Sequence, residues 1–140
     1  MNILYNRFYA SPEPFSRALG FAYDALVKGP YKFDAYETWT KLSERISQGV
    51  YMGDGLLLPH TRIPGLPGPL MTFAVCPKGF TGVTIPGGEI PQFLCLLLSP
   101  AESALVHTQT IAEVAKLLLN KEWKARALAC GDDAQVASLF

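Results

Sequence analysis

Two histidines, His60 and His107, are the side chains of this sequence best suited to acid–base or nucleophilic chemistry. A neutral imidazole is a nucleophile at physiological pH because its pKa is about 6.5, and it can carry a phosphoryl group covalently. His60 follows the apolar run 55–59, at the predicted carboxyl end of a strand, where α/β sheets place their chemistry. His107 is predicted on the inward face of a helix after a second apolar strand. The two imidazoles are expected to meet there, although each is also explained as an ordinary loop or core histidine.

The residues around His60 favour one type of reaction over others. Thr61 offers a hydroxyl and Arg62 a permanent cation, and phosphoryl transfer needs such donors for the equatorial oxygens of the transferred group. A zinc site usually requires three or four ligands, and no further residues show a ligand spacing. A serine hydrolase is disfavoured because the sequence contains no G-x-S-x-G segment. These observations favour phosphoryl transfer on a histidine, with no metal.

The composition limits the classes of protein to which the chain can belong. It has 140 residues, 49% of them hydrophobic and 17% charged, which predicts one ordered domain over residues 1–140. Twelve Lys and Arg balance twelve Asp and Glu, which argues against a nucleic-acid partner. Three cysteines without a C-x-x-C pair argue against a disulfide framework or a zinc knuckle. With no membrane-length apolar stretch and no secretory signal, a cytoplasmic location without membrane insertion is expected.

Helical periodicity is clearest in the first third of the chain. Apolar residues recur at helical spacing over residues 15–27, between a Pro-Glu-Pro turn and a Lys-Gly-Pro stop signal. A second helix is predicted from an N-cap at Asp34 to about Gln48. Its predicted apolar positions are Tyr36, Trp39, Leu42 and Ile46.

Apolar runs typical of strands occupy the middle of the chain. Strands are predicted over residues 55–59, 70–76 and 92–98, with a shorter candidate over residues 83–85. The run 92–98 is almost continuously apolar, which is typical of a strand buried on both faces.

The last third is predicted to be helical. A capping box in residues 99–102, with proline at the first helical position, predicts a helix that runs to about Asn120. This boundary places His107 in the second turn. Further helices are expected over residues 121–129 and from a cap at Asp132 or Asp133 to Leu139. Together the elements predict an α/β fold, a single-domain sandwich with a central mixed β-sheet flanked by helices.

The segment GDGLLLPHTR at residues 53–62 resembles a known active-site segment. It is similar to that of the mannitol/fructose-type enzyme IIA domains of the bacterial phosphoenolpyruvate-dependent sugar phosphotransferase system, the nitrogen-regulatory branch included. In that family a glycine and an aliphatic pair precede Pro-His, and this histidine is phosphorylated. The resemblance continues in FLCLLLSP at residues 93–100, in His107 and in the leucine-rich helix after it. It covers most of the chain and implies the mannitol-type IIA fold.

The resemblance implies a phosphocarrier. His60 would accept a phosphoryl group from phosphohistidine on the carrier protein HPr or a paralogue and pass it to a cysteine of an enzyme IIB domain. His107 would bind the phosphoryl oxygens or orient His60, and Thr61 would contribute a hydroxyl. Arg45 matches the family's arginine, although a charge that suits the helix dipole explains it equally well, and the family's Ser-Thr turn is absent. No cofactor or metal is implied.

Two functions are compatible with this resemblance. The first is a subunit that delivers phosphoryl groups for sugar uptake, in association with a membrane permease complex. The second is a nitrogen-type regulatory protein whose phosphorylation state controls its binding to other proteins. A degenerate homologue with purely structural interactions is a third reading.

Overall fold

The computed structural model describes residues 1–140, which form five α-helices, one short 3-10 helix (Pro86–Gly88) and eight strands. The helices are α1 (Phe15–Val27), α2 (Ala35–Ser47), α3 (Ala104–Leu119), α4 (Lys121–Leu128) and α5 (Asp133–Ala137). The strands are β1 (Tyr5–Phe8), β2 (Glu13–Pro14), β3 (Leu56–Leu57), β4 (His60–Ile63), β5 (Leu70–Val75), β6 (Phe80–Thr81), β7 (Phe93–Leu94) and β8 (Leu97–Pro100). None of the helices is both long and apolar enough to span a bilayer.

The main sheet is mixed, since it contains both parallel and antiparallel pairs of strands. β7 and β8 follow one another along β5 and run antiparallel to it. β3 and β4 pair in parallel with β7 and β8, and β1 pairs in parallel with β5. This pairing leaves β4 at an edge of the sheet. β2 and β6 form a separate two-stranded pair.

Each face of the main sheet carries its own apolar core. Helices α1 and α2 cover one face, on which Leu57, Leu96 and Leu98 are buried. Helices α3, α4 and α5 cover the other face, on which Leu56 and Leu97 are buried. Successive side chains of a strand point to opposite faces, so a central strand between two cores must be apolar at every position. This explains the continuous apolar run 92–98.

The starts of α2 and α5, which local caps define, agree with the predicted ones. The Asp34 side chain accepts a hydrogen bond from the Glu37 N–H at 2.9 Å, and Asp132 caps α5 in the same way. Two predicted apolar positions of α2 lie at the surface, because Tyr36 is 85% exposed and Trp39 is 37% exposed. Leu42, in contrast, is fully buried.

The strand predictions needed more correction. The run 92–98 is two strands rather than one, and residues 83–85 form no strand. The region 97–100 belongs to β8, so the helix predicted from residue 99 begins only at Ala104. The sequence pattern also does not predict β1, β2, β4 or β6. Each of these errors concerns pairing with a distant part of the chain, which local pattern does not contain.

Candidate active site

His60 is the first residue of β4, at the edge of the main sheet. The chain does not leave the sheet after Pro59, as predicted, because β8 offers it a parallel partner and the Leu97 N–H donates to the Pro59 carbonyl at 3.0 Å. Alternation along β4 buries Thr61 and leaves its neighbours His60 and Arg62 half-buried on the other face. A strand, rather than a loop, therefore positions His60.

His107 lies in the first turn of α3, beside His60. The predicted second-turn placement is wrong because β8 continues to Pro100 and the helix begins later, with Ser103 as its N-cap. The two imidazoles nevertheless meet at one edge of the sheet, as expected. Their ring centroids are 5.4 Å apart and their planes are inclined by 43°.

The His60 ring is oriented by its own backbone. Its Nδ1 atom lies 2.7 Å from the carbonyl oxygen of Leu58. A carbonyl oxygen can only accept a hydrogen bond, so the neutral ring carries its single proton on Nδ1. The lone pair of Nε2 is then free, which is the form of the ring that acts as a nucleophile.

His107 is held by a side chain rather than by the backbone. Its Nδ1 atom lies 2.8 Å from Oγ of Ser99, which is fully buried in β8. Burial lowers the pKa of His107 below its ordinary value of 6.5, and the charges of His60, Arg62 and Arg45 lower it further. His107 is therefore neutral at pH 7, and a neutral imidazole donates one hydrogen bond and accepts another.

Two arginines supply positive charge near the histidines. Arg62 donates from Nη2 to the carbonyl oxygen of Ala101, and its Nε atom is buried without a hydrogen-bond partner. Arg45 is exposed in the last turn of α2 and lines, together with His60, a depression of about 190 Å³. This position also suits the negative end of the helix dipole. The placement of Arg45 is thus compatible with both explanations of its charge.

Thr61 lines a second depression. This depression has a volume of about 290 Å³ and no apolar lining residue. Its lining residues are Lys41, Glu44, Arg45, Gln48, Thr61 and Arg62. Three cations against one carboxylate make this depression electropositive. Of the four predicted site residues, the structure brings His60 and His107 together, places Arg45 beside His60, and turns Thr61 to the opposite face of β4.

Other groups of the molecule offer weaker chemistry. A cavity of about 490 Å³ adjoins the depression at His60 through Ile46 and Val50, but Tyr51 is its only titratable lining residue. Burial raises the pKa of the Cys95 thiol to about 12, so this cysteine is not a nucleophile. No group of three or more His, Cys, Asp and Glu side chains is placed to hold a metal ion. The histidine pair is therefore the best candidate site.

Sequence reasoning missed Ser99, which contacts His107 directly. The available signal was that a serine ends an otherwise apolar strand, two residues after Leu97 and thus on the same face. That this face is the one carrying His60 follows only from the register, in which Leu97 lies opposite His60.

Comparison with known proteins adds a family assignment. Residues 14–140 match the family described as phosphoenolpyruvate-dependent sugar phosphotransferase system, EIIA 2. No curated protein matches the sequence.

Solved structures with the same fold include members of two functional branches. The nitrogen regulatory protein IIA-Ntr from Neisseria meningitidis aligns with a TM-score of 0.75 at 17% identity, over 94% of this chain and 89% of that one. The mannitol IIA from Escherichia coli aligns with a TM-score of 0.69 at 19% identity, over 94% and 93% of the two chains. A complex of the Escherichia coli mannitol IIA with phosphorylated mannitol IIB gives 0.70 at 17% identity, over 94% and 92%.

These identities are low, so the structural likeness establishes the fold, a mannitol-type IIA sandwich. The family match, in contrast, extends over nearly the whole sequence and includes both histidines. The chain therefore belongs to the EIIA 2 family of the phosphoenolpyruvate-dependent sugar phosphotransferase system.

Proposed function

We propose that this protein is a phosphocarrier in which His60 accepts a phosphoryl group from phosphohistidine on HPr or a paralogous carrier and passes it to a cysteine of an enzyme IIB domain. The observation that carries the proposal is the contact of His60 Nδ1 with the Leu58 carbonyl oxygen at 2.7 Å. It leaves Nε2 as the free nitrogen of a half-buried ring that a partner can reach. Family membership supports phosphotransfer chemistry in general.

The transfer consists of two displacements at phosphorus. In the first, the Nε2 lone pair of His60 forms a new N–P bond while the P–N bond to the donor imidazole breaks, and that electron pair stays on the donor nitrogen. In the second, a thiolate of the acceptor forms an S–P bond while the P–N bond to His60 breaks and its electron pair returns to Nε2. Both displacements depend mainly on in-line positioning and on stabilising the charge of the equatorial oxygens.

Other residues of the site have supporting roles in this proposal. His107, neutral and beside His60, donates an N–H to a phosphoryl oxygen, and Arg45 supplies positive charge at the depression next to His60. Because Thr61 is buried on the face opposite His60, we assign it the anchoring of β4 rather than contact with the phosphoryl group. No cofactor or metal enters either step.

We extend the partnership of the Escherichia coli mannitol IIA with its phosphorylated IIB to this chain. On this proposal the protein works in the cytoplasm as part of a mannitol/fructose-type sugar uptake system, next to a membrane permease. The alternative is nitrogen-type regulation, since the Neisseria nitrogen regulatory protein IIA-Ntr has the same fold. Transfer of the phosphoryl group to a IIB cysteine would support uptake, whereas phosphorylation-dependent binding to another protein without transfer would support regulation.

The decisive test is the intact mass of the protein after incubation with phosphoenolpyruvate, enzyme I and HPr. We expect the wild type to gain one acid-labile phosphoryl group and His60→Ala to gain none while remaining folded. His107→Ala, the matched control, keeps the acceptor and should still be phosphorylated, but more slowly. Phosphorylation of His60→Ala would refute the assignment of the nucleophile. Failure of the wild type with both HPr and the paralogous carrier would favour the degenerate reading.

A further inference from the structure

We propose that Ser99 is a positioning residue that sets the tautomer of His107, so that His107 carries its proton on Nε2 and presents an N–H donor beside His60. The effect on transfer rests on the proposed function above. The tautomer itself does not, because it follows from hydrogen bonding alone.

The Ser99 hydroxyl is buried and hydrogen-bonds only with the ring of His107. Ser99 is 0% exposed, so its hydroxyl has no access to solvent and cannot itself serve as an acceptor of a phosphoryl group. It lies opposite Arg62 in the β4–β8 pairing, two residues after Leu97, which is opposite His60. Its Oγ atom is 2.8 Å from Nδ1 of His107, and this is the only hydrogen bond of the Ser99 side chain.

The direction of this hydrogen bond follows from counting protons. A hydroxyl has one proton to donate, and a neutral imidazole has one N–H and one bare nitrogen. If His107 donated from Nδ1, the Ser99 proton would be buried without an acceptor, which is an unfavourable arrangement. If Ser99 donates to Nδ1, its proton is satisfied and the proton of His107 is placed on Nε2. The second arrangement is therefore the stable one.

The two histidines consequently carry opposite tautomers. His60 has its proton on Nδ1, held by the Leu58 carbonyl oxygen, and a free Nε2. His107 has a bare Nδ1, held by Ser99, and an Nε2–H. One ring of the pair is thus a nucleophile and the other a hydrogen-bond donor, with ring centroids 5.4 Å apart. A bare Nε2 on His107 would instead repel the phosphoryl oxygens, so the serine selects the useful form of the ring.

The tautomer can be measured directly by NMR of protein labelled with ¹⁵N-histidine, at a pH at which both rings are neutral. The chain has only two histidines, and His60→Gln identifies the signals of His107. In the wild type we expect His107 to be protonated on Nε2, and in Ser99→Ala we expect both tautomers to be populated. Ser99→Thr retains the hydroxyl and should restore the Nε2–H form. Protonation of His107 on Nδ1 in the wild type, or an unchanged tautomer in Ser99→Ala, would overturn the proposal.

Thr72→Val is the matched control. Thr72 is also a buried strand residue, 1% exposed, but its hydroxyl has no hydrogen-bond partner. Its neighbours Met71 and Phe73 pack in the core on the α3 side of the sheet, so the Thr72 side chain points to the other side. This variant should leave the His107 tautomer unchanged. If Ser99→Ala fails to fold, Ser99→Cys replaces it, since a thiol is a weaker donor and should give an intermediate population of the Nε2–H form.

A second readout is the rate of phosphoryl transfer from a phosphorylated carrier. We expect Ser99→Ala to slow it about tenfold, the effect of one misplaced hydrogen bond on a transition state, while Thr72→Val transfers at the wild-type rate. Equal rates for Ser99→Ala and the wild type would contradict the positioning role. If the wild type accepts no phosphoryl group, the proposed function fails, and the NMR result still decides the role of Ser99 in setting the tautomer.

Discussion

His60 and His107 are each held through Nδ1, one by a backbone carbonyl and the other by a buried hydroxyl. The partner of His60 is a backbone carbonyl group, so the Nδ1–H tautomer of His60 does not depend on the hydrogen-bonding capacity of the side chain at Leu58. The partner of His107 is a side chain, and a single substitution at Ser99 removes it. At the scale of residues, the tautomer of His60, the proposed nucleophile, is therefore less sensitive to substitution than the tautomer of His107, the proposed donor.

The lowered pKa of His107 predicts how stability depends on pH. The folded state binds the His107 proton more weakly than the unfolded chain, whose value is 6.5. Above that pH the His107 ring is neutral in both states, and its ionisation does not change the free energy of unfolding. As pH falls below about 6.5, the unfolded state is protonated first, and stability is lost until the folded-state pKa is reached.

His107→Gln tests this pH dependence, because it removes the titrating group and keeps a polar side chain. Urea unfolding at pH 7.5 and pH 5.5 should show a smaller loss of stability on acidification in the variant than in the wild type. An equal loss in the two proteins would show that groups other than His107 cause the pH dependence.

At the scale of elements, the candidate site is assembled from one short strand and two capped helices. β4 supplies His60 and α3 supplies His107, while α2 ends with Arg45 beside the depression at His60. The start of α2 is defined by Asp34, at the end of the helix remote from Arg45. The stability of α2 can therefore be changed at one end without touching the site at the other.

Asp34→Ala should lower the free energy of unfolding by about 1 kcal/mol, since it removes the hydrogen bond from Glu37 N–H to the N-cap side chain. Asp24→Ala is the matched control. It removes only an exposed ion pair with Lys28 on α1, for which we expect about 0.5 kcal/mol or less. Chemical denaturation of both variants measures the difference. Equal losses would mean that Asp34 acts as a charge rather than as a cap.

At the scale of the whole molecule, a single sheet is shared by two cores. Leu96 and Leu97 are adjacent in sequence, both 0% exposed, and belong to opposite cores. Neither core can lose its packing without exposing a face of the same strands. We therefore expect both cores to unfold together in one cooperative transition, as is usual for a domain of this size.

Leu118 and Leu119 provide a matched pair for this expectation. Leu118 on α3 is 3% exposed and packs in the core between the sheet and α3, α4 and α5. Its neighbour Leu119 is 68% exposed. Leu118→Ala should cost about 2–5 kcal/mol in the free energy of unfolding, and Leu119→Ala less than about 0.5 kcal/mol. Thermal unfolding followed by far- and near-ultraviolet circular dichroism should give coincident curves for both variants. Two separated transitions in Leu118→Ala would contradict the cooperative unfolding of the two cores.

Features governed by neighbouring residues were predictable from the sequence. The start of α2 at Asp34, the extent of α1 and the cap of α5 at Asp132 each depend on hydrogen bonds or periodicity within a few residues. The continuous apolar run 92–98 likewise indicated a strand between two helical layers. The meeting of His60 and His107 was within reach because both residues follow apolar runs whose strands lie side by side.

Features governed by pairing between distant segments were not predictable from the sequence. The chain stays in the sheet after Pro59, as β4, because β8 accepts it as a parallel neighbour. The same pairing holds Ser99 in β8 and delays the start of α3 to Ala104. Serine followed by proline is a good local helix start, yet the backbone hydrogen bonds of a neighbouring strand outweigh it. This register also brings the Ser99 hydroxyl to His107. The contact depends on how β4 and β8 align, and the spacing of the two residues in the chain does not reveal it.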